Sequence, residues 1–188
     1  MLKIYIARHG ETLENKAGIV QGHMDGTLSQ DGIFQANKLG EHLKDIWFDH
    51  IYCSDLGRAK DTLSEILKYV SCPDIVYTQG LRERDVGDST GKLFSEIDMN
   101  VEKGAETNIS LKERSGKFLE EIKSSHDSGT ILFLTHGGYI KWLFSYIKDI
   151  ADENMKGRYS TNNCSLSLIE SDGGDFKEIF FNDIGHLS

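Results

Sequence analysis

The sequence of 188 residues is poor in cysteine, proline and long apolar runs. Its three cysteines, Cys53, Cys72 and Cys164, are too few and too scattered for a disulfide framework, and no Cys-x-x-Cys or His-x-x-x-His pair indicates a zinc site. We therefore expect reduced thiols in a cytoplasmic protein. Only one proline occurs, and no repeat or low-complexity linker divides the chain. This length suits one domain over residues 1–188.

No stretch approaches the roughly 20 apolar residues that span a bilayer. The apolar run at the N-terminus is too short for a signal peptide. The 21 Lys and Arg against 30 Asp and Glu give a net charge of -9. This balance argues against nucleic acid or an anionic membrane as a partner, because both select basic surfaces. A small anionic ligand stays compatible, since a few arginines can form a local positive pocket.

Apolar residues alternate between strand-like and helix-like spacing along the chain. Strands are expected at Leu2–Ala7, His50–Cys53, Ile75–Tyr77, Thr130–Leu134, Ser165–Glu170 and Phe176–Phe181. Helices are expected at Gln30–Trp47, Leu56–Val70, Ser110–Ser125 and Tyr139–Ile150. Alternating strands and helices predict a single α/β layered domain with a mostly parallel central sheet flanked by helices. The segment Val86–Thr107 has weak periodicity, which predicts a long irregular loop of the kind that often binds ligands.

Polar side chains follow four of the predicted strands. In open parallel sheets, ligands bind beyond the carboxyl ends of the strands, so these side chains should converge at one edge. The residues in question are Arg8 and His9, then Ser54, Asp55 and Arg58, then Arg82, Glu83 and Arg84, and finally His136 with Gly137 and Gly138. Each of these residues alone is weak evidence for a binding site. A chance distribution, however, would place such residue types at both ends of the sheet.

This set of side chains suits a phosphoryl group. Arginine offers a forked donor that matches phosphate oxygens. A neutral imidazole can attack phosphorus if an acceptor, such as the Gly10 carbonyl, holds its other nitrogen as N–H. A second, charged histidine would stabilise the transition-state oxygens, and a carboxyl group such as Glu83 could protonate the departing alkoxide.

At these positions the chain resembles a known family. Ala7–Thr12 with Asn15 resembles the RHG signature of the histidine phosphatase superfamily, in its phosphoglycerate mutase-like branch. Three later segments resemble that family's second arginine motif, its acid motif and its second histidine motif. They are Ser54–Ala59, Leu81–Arg84 and Thr135–Gly138. The motifs follow in the family's order, and the resemblance covers nearly the whole chain.

The resemblance implies that His9 is phosphorylated and that water later hydrolyses the phosphohistidine. It implies that Arg8, Arg58 and His136 bind the phosphoryl oxygens, and that Glu83 acts first as acid and then as base. Asn15 would line the same pocket, and no metal or cofactor would be needed. The rim or the phosphate cradle would be lined by Gln21, Gly22, Arg82, Arg84 and Gly137. The expected partner is a small phosphorylated metabolite, and the oligomeric state stays open.

The family contains phosphatases and mutases. Its mutases typically carry a longer, more basic insertion after the acid motif. Here the stretch from Gly87 to Ser110 is short and has only two lysines, Lys92 and Lys103, against five acidic residues. These are Asp88, Glu96, Asp98, Glu102 and Glu106. We therefore favour a phosphatase, with a cofactor-dependent phosphoglycerate mutase and a non-catalytic phosphometabolite-binding protein as alternatives.

Overall fold

The computed structural model describes residues 1–97 and 103–188. Its strands are β1 (Leu2–Arg8), β2 (His50–Ser54), β3 (Ile75–Thr78), β4 (Gly129–Thr135), β5 (Leu166–Ser171) and β6 (Lys177–Asp183). They form one sheet in the order β3-β2-β4-β1-β5-β6. Strands β1 to β4 are parallel, whereas β5 is antiparallel to both β1 and β6. The predicted α/β fold with a mostly parallel sheet is confirmed.

Helices cover both faces of the sheet. They are α1 (Leu13–Lys16), α2 (Gln30–Leu43), α3 (Gly57–Ile66), α4 (Asn108–Ser125) and α5 (Gly137–Ile147). Helices α4 and α5 pack on one face, and α2 and α3 pack on the other. In β4, Ile131 and Phe133 belong to the core between the sheet and helices α4 and α5, whereas Leu132 and Leu134 belong to the core between the sheet and helices α2 and α3. A strand covered on both faces needs apolar side chains at successive positions, which explains the apolar run in the sequence.

Helix α2 ends earlier than predicted. The helical pattern extends to Trp47, but the helix stops at Leu43, whose carbonyl accepts the N–H of Ile46. Trp47 is 64% exposed, whereas Phe48 is fully buried and meets the ring of Tyr5 edge-on. The chain leaves the helix so that Phe48 reaches the core just before β2 begins. Helix α3 likewise ends earlier than predicted, at Ile66, and the chain from there to Val70 forms hydrogen-bonded turns.

Helix α5 is displaced towards the N-terminus from its predicted span of Tyr139–Ile150. It begins at Gly137 because a distant side chain, the carboxylate of Glu83, accepts hydrogen bonds from the first-turn N–H groups of Gly138 and Tyr139. It ends before Asp149, whose φ of 48° lies in the left-handed region that stops a helix.

The segment predicted as irregular contains only two short turns of 3-10 helix, Gly87–Ser89 and Phe94–Glu96, in its described part. A single bridge between Ile19 and Leu93 ties it to the turn after α1. Two of the acidic residues counted above, Asp98 and Glu102, lie outside the described residues. Over the ranges that the structure covers, no helix is both long and apolar enough to cross a membrane.

Candidate active site

Strand β1 delivers Arg8 and His9 to the carboxyl edge of the sheet. The backbone N–H of His9 donates to the carbonyl of Thr135, the last residue of β4, across 3.0 Å. The Nη1 of Arg8 donates to the carbonyl of Thr161 across 2.5 Å. The main chain of β1 and β4 therefore positions His9, and the loop before β5 holds the guanidinium of Arg8.

The imidazole of His9 is held in one tautomer. Its Nδ1 lies 2.7 Å from the carbonyl of Gly10, which can only accept, so Nδ1 carries the proton. This contact confirms the expected role of the Gly10 carbonyl. The Nε–H of Arg58 donates to Nε2 across 3.2 Å. Burial, followed by the charges of Arg58 and Arg8, holds the pKa of His9 well below its usual range. His9 is thus neutral, with its lone pair on Nε2.

Arg58 lies in the first turn of α3 and is almost fully buried. Its Nη2 donates to the carbonyl of Gly22 across 3.0 Å, and its Nη1 donates to the carbonyl of Met24. Burial lowers the pKa of Arg58 to about 10, so the guanidinium is still a cation at neutral pH. The loop of residues 22–24 therefore aims a positive charge at His9.

His136 follows β4 and is fully buried. Its ring centroid lies 5.2 Å from that of His9, and its Nε2 lies 2.7 Å from the Oγ of Ser54. Its Nδ1 is buried with no hydrogen-bond partner among the described residues. Burial and then the charge of Arg58 hold the pKa of His136 well below its usual range, so the imidazole is neutral. The charged form that is expected of this histidine in the transition state stays a prediction.

The carboxylate of Glu83 accepts three backbone hydrogen bonds. Its Oε1 accepts from the N–H of Arg84 at 2.8 Å and of Tyr139 at 3.0 Å, and its Oε2 accepts from the N–H of Gly138 at 2.9 Å. Its charge acts on the guanidinium groups of both Arg8 and Arg58. A Cβ on Gly138 would lie 2.4 Å from Oε1, so a glycine is needed for this close approach.

Four of the residues predicted to bind substrate, Asn15 and three from the rim, lie next to this cluster. The Oδ1 of Asn15 accepts from the Nδ2 of Asn163, which also donates to the carbonyl of His9. Gln21 is buried, and its Oε1 has no partner in the described part of the chain. Gly22 contributes only its carbonyl, to Arg58. A Cβ on Gly137 would lie 3.3 Å from the Nε of Arg8, an atom that is itself buried and unpaired among the described residues.

The two predicted rim arginines are engaged elsewhere. Arg82 makes a bidentate ion pair with Asp55, with both N···O distances at 2.6 Å. Arg84 donates to the carbonyl of Glu106 at 2.8 Å and to the Oδ1 of Asn108 at 3.0 Å. The predicted contacts of these guanidinium groups with a ligand gain no support from this geometry.

Several residues that support the cluster were not predicted as site residues. The Oγ1 of Thr62 accepts from the N–H of Gly10 at 2.9 Å and donates to the carbonyl of Arg58 at 2.7 Å, so it connects β1 to α3. Ser54 contacts His136, and Asn163 holds the carbonyl of His9. The position of Ser54 at a strand end was a usable signal. Asn163 lies 154 residues from His9, so no local pattern indicates that contact.

The arrangement is suited to a tetrahedral anion. Two guanidinium groups and two imidazoles converge at the strand ends, and the unpaired buried atoms of Arg8 and His136 supply hydrogen-bonding groups that need a partner. Among residues 1–97 and 103–188, no group of three or more His, Cys, Asp or Glu side chains is placed to hold a metal ion.

Known proteins share this sequence and fold. Residues 4–184 match the model of the histidine phosphatase superfamily, branch 1. A metal-independent phosphoserine phosphatase of Arabidopsis thaliana is 30% identical over 99% of this chain and 83% of its own length. A probable phosphoglycerate mutase of Erwinia tasmaniensis is 28% identical over 90% of this chain and 85% of its own length.

A crystal structure of phosphoserine phosphatase from Entamoeba histolytica, in complex with 3-phosphoglyceric acid, matches with a TM-score of 0.88 and 26% identity. The match covers all of both chains. The family match spans almost every element that carries the cluster around His9. This chain therefore belongs to the histidine phosphatase superfamily, as its motifs predict.

Proposed function

We propose that this protein is a metal-independent phosphatase that hydrolyses small phosphomonoesters through a phosphohistidine on His9. The observation that carries the proposal is the hydrogen bond from Nδ1 of His9 to the Gly10 carbonyl, which leaves the lone pair on Nε2. A buried neutral imidazole beside two guanidinium groups is suited to attack an anionic phosphoryl group.

The proposed reaction has two displacements at phosphorus. In the first, Nε2 of His9 attacks phosphorus and the bond to the ester oxygen breaks, while protonated Glu83 gives its proton to that oxygen. In the second, water attacks the phosphohistidine, and Glu83 takes a proton from the water as the bond between phosphorus and Nε2 breaks. Arg8, Arg58 and the unpaired Nδ1 of His136 bind the oxygens in both steps. The incoming phosphoryl oxygen replaces Nε2 of His9 as a partner of Arg58.

Two relatives indicate which substrates to test first. Phosphoserine and 3-phosphoglycerate are small phosphomonoesters that carry a carboxylate, and they are named with related phosphoserine phosphatases. The related probable mutase supports the alternative of phosphoglycerate mutase activity. Against it stands the segment from Gly87 to Ser110, whose described part has three acidic residues, Asp88, Glu96 and Glu106, and only two basic ones, Lys92 and Lys103.

The test is release of inorganic phosphate from phosphoserine, 3-phosphoglycerate and p-nitrophenyl phosphate in the presence of EDTA. We expect His9→Ala to lower kcat/KM by at least about 10³-fold, whereas the matched control His42→Ala, at an exposed histidine in the last turn of α2, retains activity. Acid-labile phosphate should be trapped on the parent enzyme and not on His9→Ala. Full activity of His9→Ala would exclude the phosphohistidine route.

The same assays separate the alternatives. Interconversion of 2- and 3-phosphoglycerate that is stimulated by the bisphosphate, with little phosphate release, would identify a mutase. Tight orthovanadate binding without turnover of any ester would identify a binding protein.

A further inference from the structure

Arg114, in the second turn of α4, uses its whole guanidinium group within the protein. Its Nε and Nη2 contact the two carboxylate oxygens of Glu106 at 2.8 and 2.9 Å. Its Nη1 donates to the carbonyls of Gly80 at 3.2 Å and Arg82 at 3.1 Å, and its Nη2 also donates to the carbonyl of Glu83 at 3.2 Å. A single side chain thus holds three carbonyls of the segment that ends at Glu83.

This segment follows the short strand β3, and Arg114 supplies donors to carbonyls that lie beyond the last pair of the β2–β3 ladder. The same guanidinium lies 5.7 Å from the ring centroid of Tyr139, whose backbone N–H binds the carboxylate of Glu83. Arg114 therefore contacts both the chain that carries Glu83 and a residue that binds its carboxylate. It makes no contact with His9, Arg58 or His136 in the described hydrogen bonds.

We infer that Arg114 is a positioning residue for Glu83, and that its ion pair with Glu106 sets where the proton of Glu83 is delivered. The inference rests on the acid role of Glu83 in the proposed function. Arginine is required because a planar fork can bind a carboxylate in a bidentate manner and still reach three carbonyls, whereas the ammonium of lysine is a single point charge. A general acid displaced by about 1 Å loses much of its effect.

The experiment compares two substrates of the same enzyme. A good leaving group such as p-nitrophenolate needs little protonation, whereas the alkoxide released from phosphoserine needs a proton. We expect Arg114→Lys to lower kcat/KM for phosphoserine by about 10- to 100-fold and for p-nitrophenyl phosphate by less than about 3-fold. Arg158→Lys, at an exposed arginine, is the matched control and should change neither rate. An equal loss for both substrates would overturn the inference, because that is the result of general destabilisation.

A second variant tests the route through Glu83. In a Glu83→Gln background, Arg114→Lys should lower phosphoserine turnover by less than about 2-fold, because the group that it positions is already gone. A further 10-fold loss would show that Arg114 acts independently of Glu83. If Glu83→Gln alone left phosphoserine turnover unchanged, the acid role in the proposed function would fail, and with it the role of Arg114. Should Arg114→Lys not fold, Glu106→Gln keeps the arginine and should show the same dependence on the leaving group.

Discussion

The Nε–H of Arg58 donates a hydrogen bond to Nε2 of His9 across 3.2 Å. This contact joins the first residue after β1 to the first turn of α3, 49 positions apart in the chain. It identifies Nε2 as the acceptor nitrogen and brings a buried cation next to it. The contact also means that a phosphoryl group must compete with His9 for the N–H groups of Arg58. The geometry of the guanidinium is therefore decisive for phosphoryl binding.

Replacing Arg58 by lysine should lower kcat/KM by about 10²- to 10³-fold, the usual cost of losing a preorganised donor at a reacting oxygen. Lysine keeps the charge, but one ammonium cannot bind the carbonyls of Gly22 and Met24 and also face His9. The matched control is Arg82→Lys, because Arg82 pairs with Asp55. Activity of Arg58→Lys above a tenth of the parent value would contradict this view.

The protonation of the two buried histidines can be observed directly. Imidazole ¹⁵N chemical shifts should identify the Nδ1–H tautomer of His9, because Nδ1 donates to the Gly10 carbonyl. Since burial and neighbouring arginines lower the pKa of His9 and of His136 well below 6.5, both rings should stay neutral when the pH is lowered to 5.5. Orthovanadate should raise the pKa of His136, since an adjacent anion favours the charged ring. An imidazolium signal from His9 at pH 6.5 would be inconsistent with the structure.

The same two pKa values predict how stability depends on pH. In the unfolded chain both histidines bind protons below about pH 6.5, whereas in the folded protein they do not until the pH falls much further. The free energy of unfolding should therefore decrease as the pH falls from about 6.5, with each histidine contributing a slope of about 1.4 kcal/mol per pH unit. Urea denaturation at pH 7.5, 6.5 and 5.5 measures the slope. His136→Asn should reduce it, and an unchanged slope in that variant would count against the buried neutral ring.

Gly138→Ala should move the carboxylate of Glu83 while leaving the stability of the fold almost unchanged. The added Cβ would lie 2.4 Å from Oε1 of Glu83, the mobile end of a side chain, so the carboxylate should move while the backbone is retained. We expect phosphoserine turnover to fall by roughly 10- to 100-fold with little change in melting temperature. Gly174→Ala is the control, because its nearest contact would be 3.8 Å away. Unchanged turnover in Gly138→Ala would show that the carboxylate position is not critical.

Much of the fold follows from local patterns in the sequence. The apolar run of Thr130–Leu134 predicts the buried central strand because a strand covered on both faces has no polar side. Helix ends are less readable: Trp47 continues the helical pattern, yet the helix stops at Leu43. The start of α5 depends on a carboxylate 55 positions away, at Glu83, and no local signal reports it.

The candidate site, like the fold, could be predicted only in part from the sequence. Strand ends point to one edge of a parallel sheet, so the sequence alone indicated that Arg8, His9, Glu83 and His136 would meet. The rim arginines could not be assigned because Arg82 has a carboxylate partner, Asp55, that only the folded chain brings within 2.6 Å.

The order of residue types along the chain was thus enough to predict the sheet and the polar residues at its strand ends, because these depend on short-range periodicity and on topology, and the motifs at those strand ends were enough to indicate the family. The tertiary structure alone decided the tautomer of His9, the neutrality of His136 and the hydrogen bonds from Arg114 to the segment that ends at Glu83. Each of these depends on burial or on hydrogen bonds between residues distant in sequence, whose energies come from the folded environment and not from any local pattern.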